Sequence, residues 1–316
     1  MGDEAIQATN DDAASCKRFA IQQGYWRDPY LQFLVKAAER KAPEINRGYY
    51  VRTHGIKYLL EDFIKKTESN CQIISLGAGF DTLFWRLKDE GLLPKTYVEL
   101  DFRAVTSRKC YYIKSRSQLL DPLMESCDGV KNKISIENAE LHSPRYHIMT
   151  ADLRDVADVE SKLTEAGIDK NLPTVFISEC VLVYMTVQKS SDLLKWIGDS
   201  FPTVLYINYE QVNMADRFGQ VMQQNLRSRH CELHGVDACA SMDTQKNRFL
   251  SVGWEGADAM DMMCVYHKLP PADIHRIERL EFLDELELLQ QLFQHYCICW
   301  AYKDKANIGL SSIGFA

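Results

Sequence analysis

The chain has 316 residues, of which 46% are hydrophobic and 26% are charged, and its formal net charge is −7. This composition is typical of a globular protein that buries the core of one large domain with an insertion. The acidic balance argues against a nucleic-acid partner. We find no apolar run of membrane-spanning length and no secretory leader, so we also expect no membrane partner.

The ten cysteines are scattered and form no Cys-x-x-Cys pair. Cys297 and Cys299 lie in an apolar run typical of a strand, which places their side chains on opposite faces. This spacing favours core packing over metal binding. We therefore predict reduced thiols, no metal site and a cytoplasmic protein.

Two segments precede the first predicted strand. Residues 1–15 are small, polar and acidic, which predicts a disordered tail. Residues 16–65 are dense in cations and aromatics, and Pro29 and Pro43 divide them into short predicted helices. We interpret this segment as an N-terminal helical cap. Its charges either face solvent or close the ligand-binding edge of the sheet, and the sequence leaves both interpretations open.

The first predicted strand, residues 72–76, is short, apolar and β-branched, as a buried parallel strand should be. It runs into Gly77 and Gly79, and a helical apolar pattern follows. Asp81 stands near the place of the third glycine in a dinucleotide fingerprint. Glycines let a ligand approach the backbone, but a carboxylate here disfavours a pyrophosphate and tolerates a cationic cofactor. An ordinary turn explains this spacing equally well.

Acidic residues end the three later strands at this edge of the sheet. Asp101 follows the glycines at the distance where an acid commonly accepts both ribose hydroxyls. Asp152 and Leu153 can bind adenine, through the carboxylate to the exocyclic amine and through the backbone amide to a ring nitrogen. Glu179 ends the fourth strand. Together these residues would surround a purine ribonucleoside.

Strands alternate with helices up to a fifth strand at 204–209, which predicts an α/β fold with a doubly wound, Rossmann-like sheet. Residues 211–264 contain no predicted strand, and we interpret them as an inserted helical lid; a helical layer away from the ligand is the alternative. Residues 296–302 and 308–315 predict a C-terminal hairpin. We expect about seven strands in one domain over residues 16–316.

The charges at the sheet edge favour one class of cofactor. No Lys-Ser or Lys-Thr follows the glycines, which excludes a P-loop. S-adenosylmethionine carries a sulfonium and an ammonium, which acids attract, and Lys17 or Arg52 could pair with its carboxylate. A nicotinamide dinucleotide is the less favoured alternative, because its pyrophosphate would have three acids nearby.

Five motifs, in order along the chain, resemble the leucine carboxyl methyltransferase family. They are residues 42–49 (Ala-Pro-Glu-Ile-Asn-Arg-Gly-Tyr), 76–82 (Leu-Gly-Ala-Gly-Phe-Asp-Thr), 152–154 (Asp-Leu-Arg), 179–185 (Glu-Cys-Val-Leu-Val-Tyr-Met) and 207–213 (Ile-Asn-Tyr-Glu-Gln-Val-Asn). The resemblance implies a class I methyltransferase fold and S-adenosylmethionine as methyl donor. It implies that the cofactor is bound by Lys17, Arg52, Gly77, Asp101, Asp152, Leu153 and Glu179.

The resemblance also implies the acceptor, which is the α-carboxylate of the C-terminal leucine of the type 2A protein phosphatase catalytic subunit. A tail leucine offers little surface, so we expect the N-terminal cap and the 211–264 insertion to contact the folded phosphatase as well. We expect the methyltransferase itself to be a monomer.

An α-carboxylate has an ordinary pKa of about 3.5, so it is ionised at neutral pH and needs no general base. Its attack on a sulfonium methyl removes two opposite charges, which a dry pocket favours. We predict Arg154 and Tyr184 as the catalytic residues that orient the acceptor carboxylate, because both follow strands at the cofactor edge. A surface arginine and a buried tyrosine without a catalytic role are the alternative.

Two other functions fit the same fold. The chain could methylate a small carboxylic or hydroxylated metabolite, or it could be a non-catalytic module that binds the phosphatase. The intact cofactor motifs argue against the second.

Overall fold

The protein is described by a computed structural model that covers residues 2–37, 39–126 and 134–315. Within these residues one sheet contains nine strands. The strands are β1 (Gln72–Leu76), β2 (Thr96–Asp101), β3 (Ser135–Glu137), β4 (Glu140–His142), β5 (Tyr146–Thr150), β6 (Thr174–Glu179), β7 (Thr203–Gln211), β8 (Gly256–Asp261) and β9 (Tyr296–Asp304).

The five central strands are parallel and lie in the order β5-β2-β1-β6-β7. Their register aligns Leu76 at the end of β1 with Leu100 on β2 and Ser178 on β6. The chain builds outward from β1 through β2 and then crosses to β6, so the order reverses between β1 and β6. In open α/β sheets, ligands bind in the crevice at this switch point.

The other strands pair antiparallel, and they differ from the prediction in two places. β9 pairs with β7, and its other partner is β8. The predicted C-terminal hairpin is therefore wrong, because residues 308–315 contain only a 3₁₀ turn at Leu310–Ser312. The insertion, predicted to have no strand, supplies β8. Its sequence, Gly-Ala-Asp-Ala-Met-Asp, lacks the apolar run of a buried strand because β8 lies at the sheet edge.

The helices cover both faces of the sheet. They are α1 (Gly2–Gln22), α2 (Pro43–Lys66), α3 (Leu83–Asp89), α4 (Arg103–Ser115), α5 (Ser117–Glu125), α6 (Val156–Glu165), α7 (Val187–Ser200), α8 (Arg217–Ser228), α9 (Met242–Leu250), α10 (Met262–Lys268), α11 (Pro271–Glu278) and α12 (Leu286–Gln294). Ile73 packs in the core on one face and Ile74 in the core on the other, as the alternation of a strand requires. None of the described helices combines the length and apolarity that a bilayer span needs.

The N-terminal segment differs from its prediction in two ways. Residues 2–15 belong to helix α1, so the predicted disordered tail is wrong. Only Ala14 and Ala20 of this helix are buried, so its sequence carries little apolar signal. Helix α2 is one continuous helix of 24 residues with Pro43 in its first turn. Proline begins this helix and does not break it, because the first turn needs no backbone donor there.

Candidate active site

The two glycines of the turn after β1 have no room for a side chain. Gly77 and Gly79 have φ values of +61° and +55°, a region that glycine enters freely. A Cβ atom on Gly77 would lie 2.6 Å from a methyl of Val181, and one on Gly79 would collide with the side-chain oxygen of Asn10. The side chains of Val181 and Asn10 therefore pack closely against the backbone of this turn.

Asp101 is tied to this turn by its own carboxylate. One oxygen accepts a hydrogen bond from the Gly79 amide and the other from the Phe102 amide, both at 2.7 Å. Burial nevertheless raises the pKa of Asp101 to about 6. Each carboxylate oxygen keeps a further lone pair, so the group can still accept the hydroxyls of a sugar.

Two cations and two acids meet beside the turn. Arg52 Nε lies 2.5 Å from a carboxylate oxygen of Glu179. Lys17 Nζ lies 3.5 Å from the same oxygen and 3.7 Å from a carboxylate oxygen of Asp81. All four side chains are at most 18% exposed. The group is neutral overall, and a zwitterionic amino acid would find a partner for each of its charges there.

Electrostatics keep both of these acids ionised. Burial alone would raise the pKa of Asp81, but Lys17, Arg86 and Lys109 outweigh it and lower the pKa to about 2. Burial likewise opposes ionisation of Glu179, and its neighbours Lys17 and Arg52 lower its pKa below the ordinary value. Both carboxylates therefore stay ionised at neutral pH, each beside a cation.

Arg154, predicted to orient the acceptor, is already paired with two carboxylates. Its Nε lies 2.8 Å from an oxygen of Asp152, and its two terminal nitrogens each lie 2.9 Å from an oxygen of Asp3. The hydrogen bonds from Arg154 lower the pKa of Asp152. In this conformation the positive charge of Arg154 is balanced, and Asp3 must leave before Arg154 can bind another anion.

Tyr184, the second predicted catalytic residue, ends a 3₁₀ turn after β6. Burial raises its pKa well above the ordinary value, so the phenol is neutral and can donate a hydrogen bond. Cys180, at the start of this segment, has a φ of +57°, an uncommon value for a residue with a side chain. Burial raises the pKa of its thiol to about 12, which keeps it a protonated and weak nucleophile.

The glycine turn and the acids, cations and tyrosine around it line one cavity of about 550 Å³, a size typical of small-molecule sites. It brings together every residue predicted for the site, namely Lys17, Arg52, Gly77, Asp101, Asp152, Leu153, Arg154, Glu179 and Tyr184. Their proximity agrees with the prediction, while their individual roles stay predictions.

Two further helices border the cavity: the first half of α1, which was predicted as a disordered tail, and α8, which lies in the segment predicted as a lid. Helix α1 contributes Asn10, whose side-chain oxygen accepts a hydrogen bond from the Phe80 amide at 2.8 Å. Helix α8 contributes Phe218, Val221, Met222, Asn225 and Leu226, and Arg229 follows at its end. The apolar spacing of α8 indicated a helix, but spacing alone does not say what a helix faces. The polar sequence of α1 gave no usable signal.

Comparison with known proteins identifies the family. The model for "Leucine carboxyl methyltransferase" matches residues 5–198. The chain belongs to this family. Its doubly wound sheet confirms the predicted α/β fold class. The chain is therefore a carboxyl methyltransferase by family.

Individual relatives cover nearly the whole chain. Leucine carboxyl methyltransferase 1 of Bos taurus is 53% identical over 314 residues, which cover 99% of this chain and 94% of that protein. The protein of the same name from Caenorhabditis elegans is 40% identical over 307 residues, covering 94% and 90%. The tRNA wybutosine-synthesizing protein 4 of Homo sapiens is 37% identical over 303 residues, covering 93% of this chain and 43% of that longer protein.

Proposed function

We propose that this methyltransferase uses S-adenosylmethionine to esterify the α-carboxylate of the C-terminal leucine of the protein phosphatase 2A catalytic subunit. The observation that carries the proposal is the single cavity in which Asp101, Asp152 and Glu179 lie around the glycine turn. The names of the relatives support leucine as the acceptor residue.

The residues present fit this donor. Asp101 would accept the ribose hydroxyls, and Asp152 with Leu153 would bind the adenine. The amino-acid end would pair its carboxylate with Lys17 or Arg52 and its ammonium with Glu179. Asn10 supports the fit, because its buried Nδ2 has no hydrogen-bond partner within the described residues although it lies at the cavity. A ligand acceptor would satisfy it.

When bound, S-adenosylmethionine supplies an electrophilic methyl group on a sulfonium. The protein itself excludes water and places the acceptor oxygen, since an ionised carboxylate needs no base. Tyr184 is suited to this placement, because a neutral phenol donates one hydrogen bond without over-stabilising the ground state as a bidentate ion pair would. Arg154 takes part only if Asp3 releases it.

The acceptor is proposed to be a folded protein. Helix α1 and the 211–264 segment both line the cavity, and we propose that they contact the phosphatase face around the tail. We also place the protein in the cytoplasm, consistent with the nine described cysteines all being free.

Mass spectrometry of the phosphatase C-terminus, after incubation with methyl-labelled S-adenosylmethionine, tests this function. We expect one methyl ester on the terminal leucine, and none on a subunit lacking that leucine. A free tail peptide should be methylated less efficiently than the intact subunit. Equal rates would remove the folded face from recognition. Methylation of small carboxylic metabolites without any phosphatase product would contradict the proposed acceptor and favour the alternative.

A further inference from the structure

The cations that line the cavity differ in how firmly acidic side chains hold them. Within the described residues they are Lys17, Arg52, Arg154 and Arg229. Lys17 and Arg52 are held by buried acids beside the glycine turn, where the donor would bind. Arg154 is held by Asp152 on its own loop as well as by Asp3.

Arg229 differs from these three. It caps the C-terminal end of α8, where a positive charge is favoured by the helix dipole. Its ion-pair partner, Asp12, comes from α1, and the two side chains are 58% and 57% exposed. An ion pair this exposed contributes little to stability, so replacing Asp12 by another carboxylate carries almost no energetic penalty.

Arg229 also lies beside the group proposed to place the acceptor. The hydrogen bond with Asp12 raises the pKa of Arg229 above its ordinary value. Arg229 and Tyr184 both line the cavity.

We infer that Arg229 binds a carboxylate of the acceptor's C-terminal segment, and that Asp12 occupies this position until the acceptor displaces it. The inference rests on the proposed function and adds the residue that recognises the acceptor. Displacement breaks one of the ion pairs that hold α1 to the body, so acceptor binding and loosening of α1 are coupled. Asp12 is thus an internal competitor of the substrate.

The chain offers a matched control for this inference. Arg108 on α4 forms a bidentate pair with Asp11, one residue from Asp12, with both oxygen–nitrogen distances at 2.9 Å. That pair also ties α1 to the body, but Arg108 is not among the described residues that line the cavity. Arg108→Gln therefore loosens α1 without removing a cavity cation.

Steady-state methylation of the intact phosphatase subunit tests the role of Arg229. Arg229→Gln should raise KM for the acceptor by about tenfold or more, the usual effect of losing a charge-assisted hydrogen bond, with unchanged affinity for S-adenosylhomocysteine. Arg108→Gln should leave acceptor KM within about twofold of wild type. Arg229→Lys should recover part of the loss. Equal effects of the two glutamine variants would overturn the inference.

Two aspartate variants test the competition. Asp12→Asn should lower acceptor KM by up to about fivefold, because Arg229 is then already free. Asp11→Asn should not lower it. An increase in KM with Asp12→Asn would overturn the competitor role.

Binding of modified subunits then identifies which carboxylate is bound. An acceptor ending in a C-terminal amide should bind wild type weakly and be insensitive to Arg229→Gln if Arg229 binds the terminal carboxylate. If it binds an acidic side chain, acceptors with neutralised acidic tail residues should show that insensitivity instead. If binding of both modified acceptors is still weakened by Arg229→Gln, the inference is contradicted. Absence of methylation by wild type would instead contradict the proposed function, so the two failures are distinguishable.

Discussion

The two walls of the cavity are held in place by different interactions. The sheet wall, formed by the ends of β1, β2, β5 and β6, rests on backbone pairing and on a Lys109–Glu99 pair with side chains only 1% and 2% exposed. Within the described residues, three ion pairs tie the part of α1 before Cys16 to the rest of the protein, with side chains between 38% and 58% exposed. Breaking a buried pair destabilises by about 3–5 kcal/mol, whereas an exposed pair contributes about 0–1 kcal/mol. The sheet wall is thus fixed, and the first half of α1 can separate from it.

The largest loss of stability is expected from replacing Lys109, which belongs to the sheet wall. Its Nζ lies 2.5 Å from Glu99 and 2.7 Å from the backbone oxygen of Asp81. Lys109→Met leaves Glu99 buried without a cation and should lower the free energy of unfolding by about 3–5 kcal/mol in denaturant titration. Lys114→Met, an exposed change on the same helix, should stay within about 0.5 kcal/mol. Equal losses would show that the sheet wall does not depend on this pair.

A methyl group on the glycine turn should damage ligand binding more than stability. Gly77→Ala brings a Cβ within 2.6 Å of the stiff Val181 side chain, whereas nothing lies within 4 Å of the same atom on Gly91. Both glycines have positive φ, so both variants pay a similar backbone penalty of about 1 kcal/mol. Calorimetry should show at least about tenfold weaker S-adenosylhomocysteine binding for Gly77→Ala only. Weaker S-adenosylhomocysteine binding in Gly91→Ala as well would mean that backbone strain, and not the contact with Val181, causes the loss.

The pH dependence of donor affinity should report Asp101. Burial raises the pKa of its carboxyl from 3.8 to about 6, so in the free protein the ionised form costs stability as pH rises from about 4 to 6. Ribose hydroxyls donate to the ionised form, so affinity should fall below about pH 6 by up to about tenfold per pH unit and be constant above it. Asp101→Asn should bind weakly without this dependence. The same slope in Asp101→Asn would exclude Asp101 as its source.

The smallest effect is expected from the exposed pairs of α1. Asp11→Asn should change the free energy of unfolding by less than about 1 kcal/mol. Added salt should nevertheless accelerate amide exchange in the first half of α1 while β1 and β2 stay protected, because screening weakens exposed pairs most. Equal salt sensitivity in helix and strands would remove the distinction between the two walls.

The sequence predicted the sheet wall because its features are local. A β-branched strand, a glycine turn and acids at strand ends can each be recognised in a few residues, and Gly77, Asp101 and Glu179 lie where the pattern indicated. The α1 wall depends on contacts that sequence spacing does not encode. Asp3 reaches Arg154 and Asp12 reaches Arg229, over separations far beyond any local pattern. Helix α1 buries only two residues, so it resembles a disordered tail when taken alone.

The sequence did not predict the edge strands, for a related reason. β3 and β4 have three residues each, and β8 consists of small and acidic residues apart from Met260, with no buried position. Such strands are stabilised by pairing with a neighbour and carry little propensity of their own. The sequence therefore indicated the buried centre of the sheet and not its borders.

A crystal structure with bound S-adenosylhomocysteine tests the central claim most directly. We predict density between the two walls, in contact with Asp101 and Glu179 from the sheet and with Asn10 or Lys17 from α1. Density elsewhere, or density beside Gly77 with no residue of α1 in contact, would contradict it.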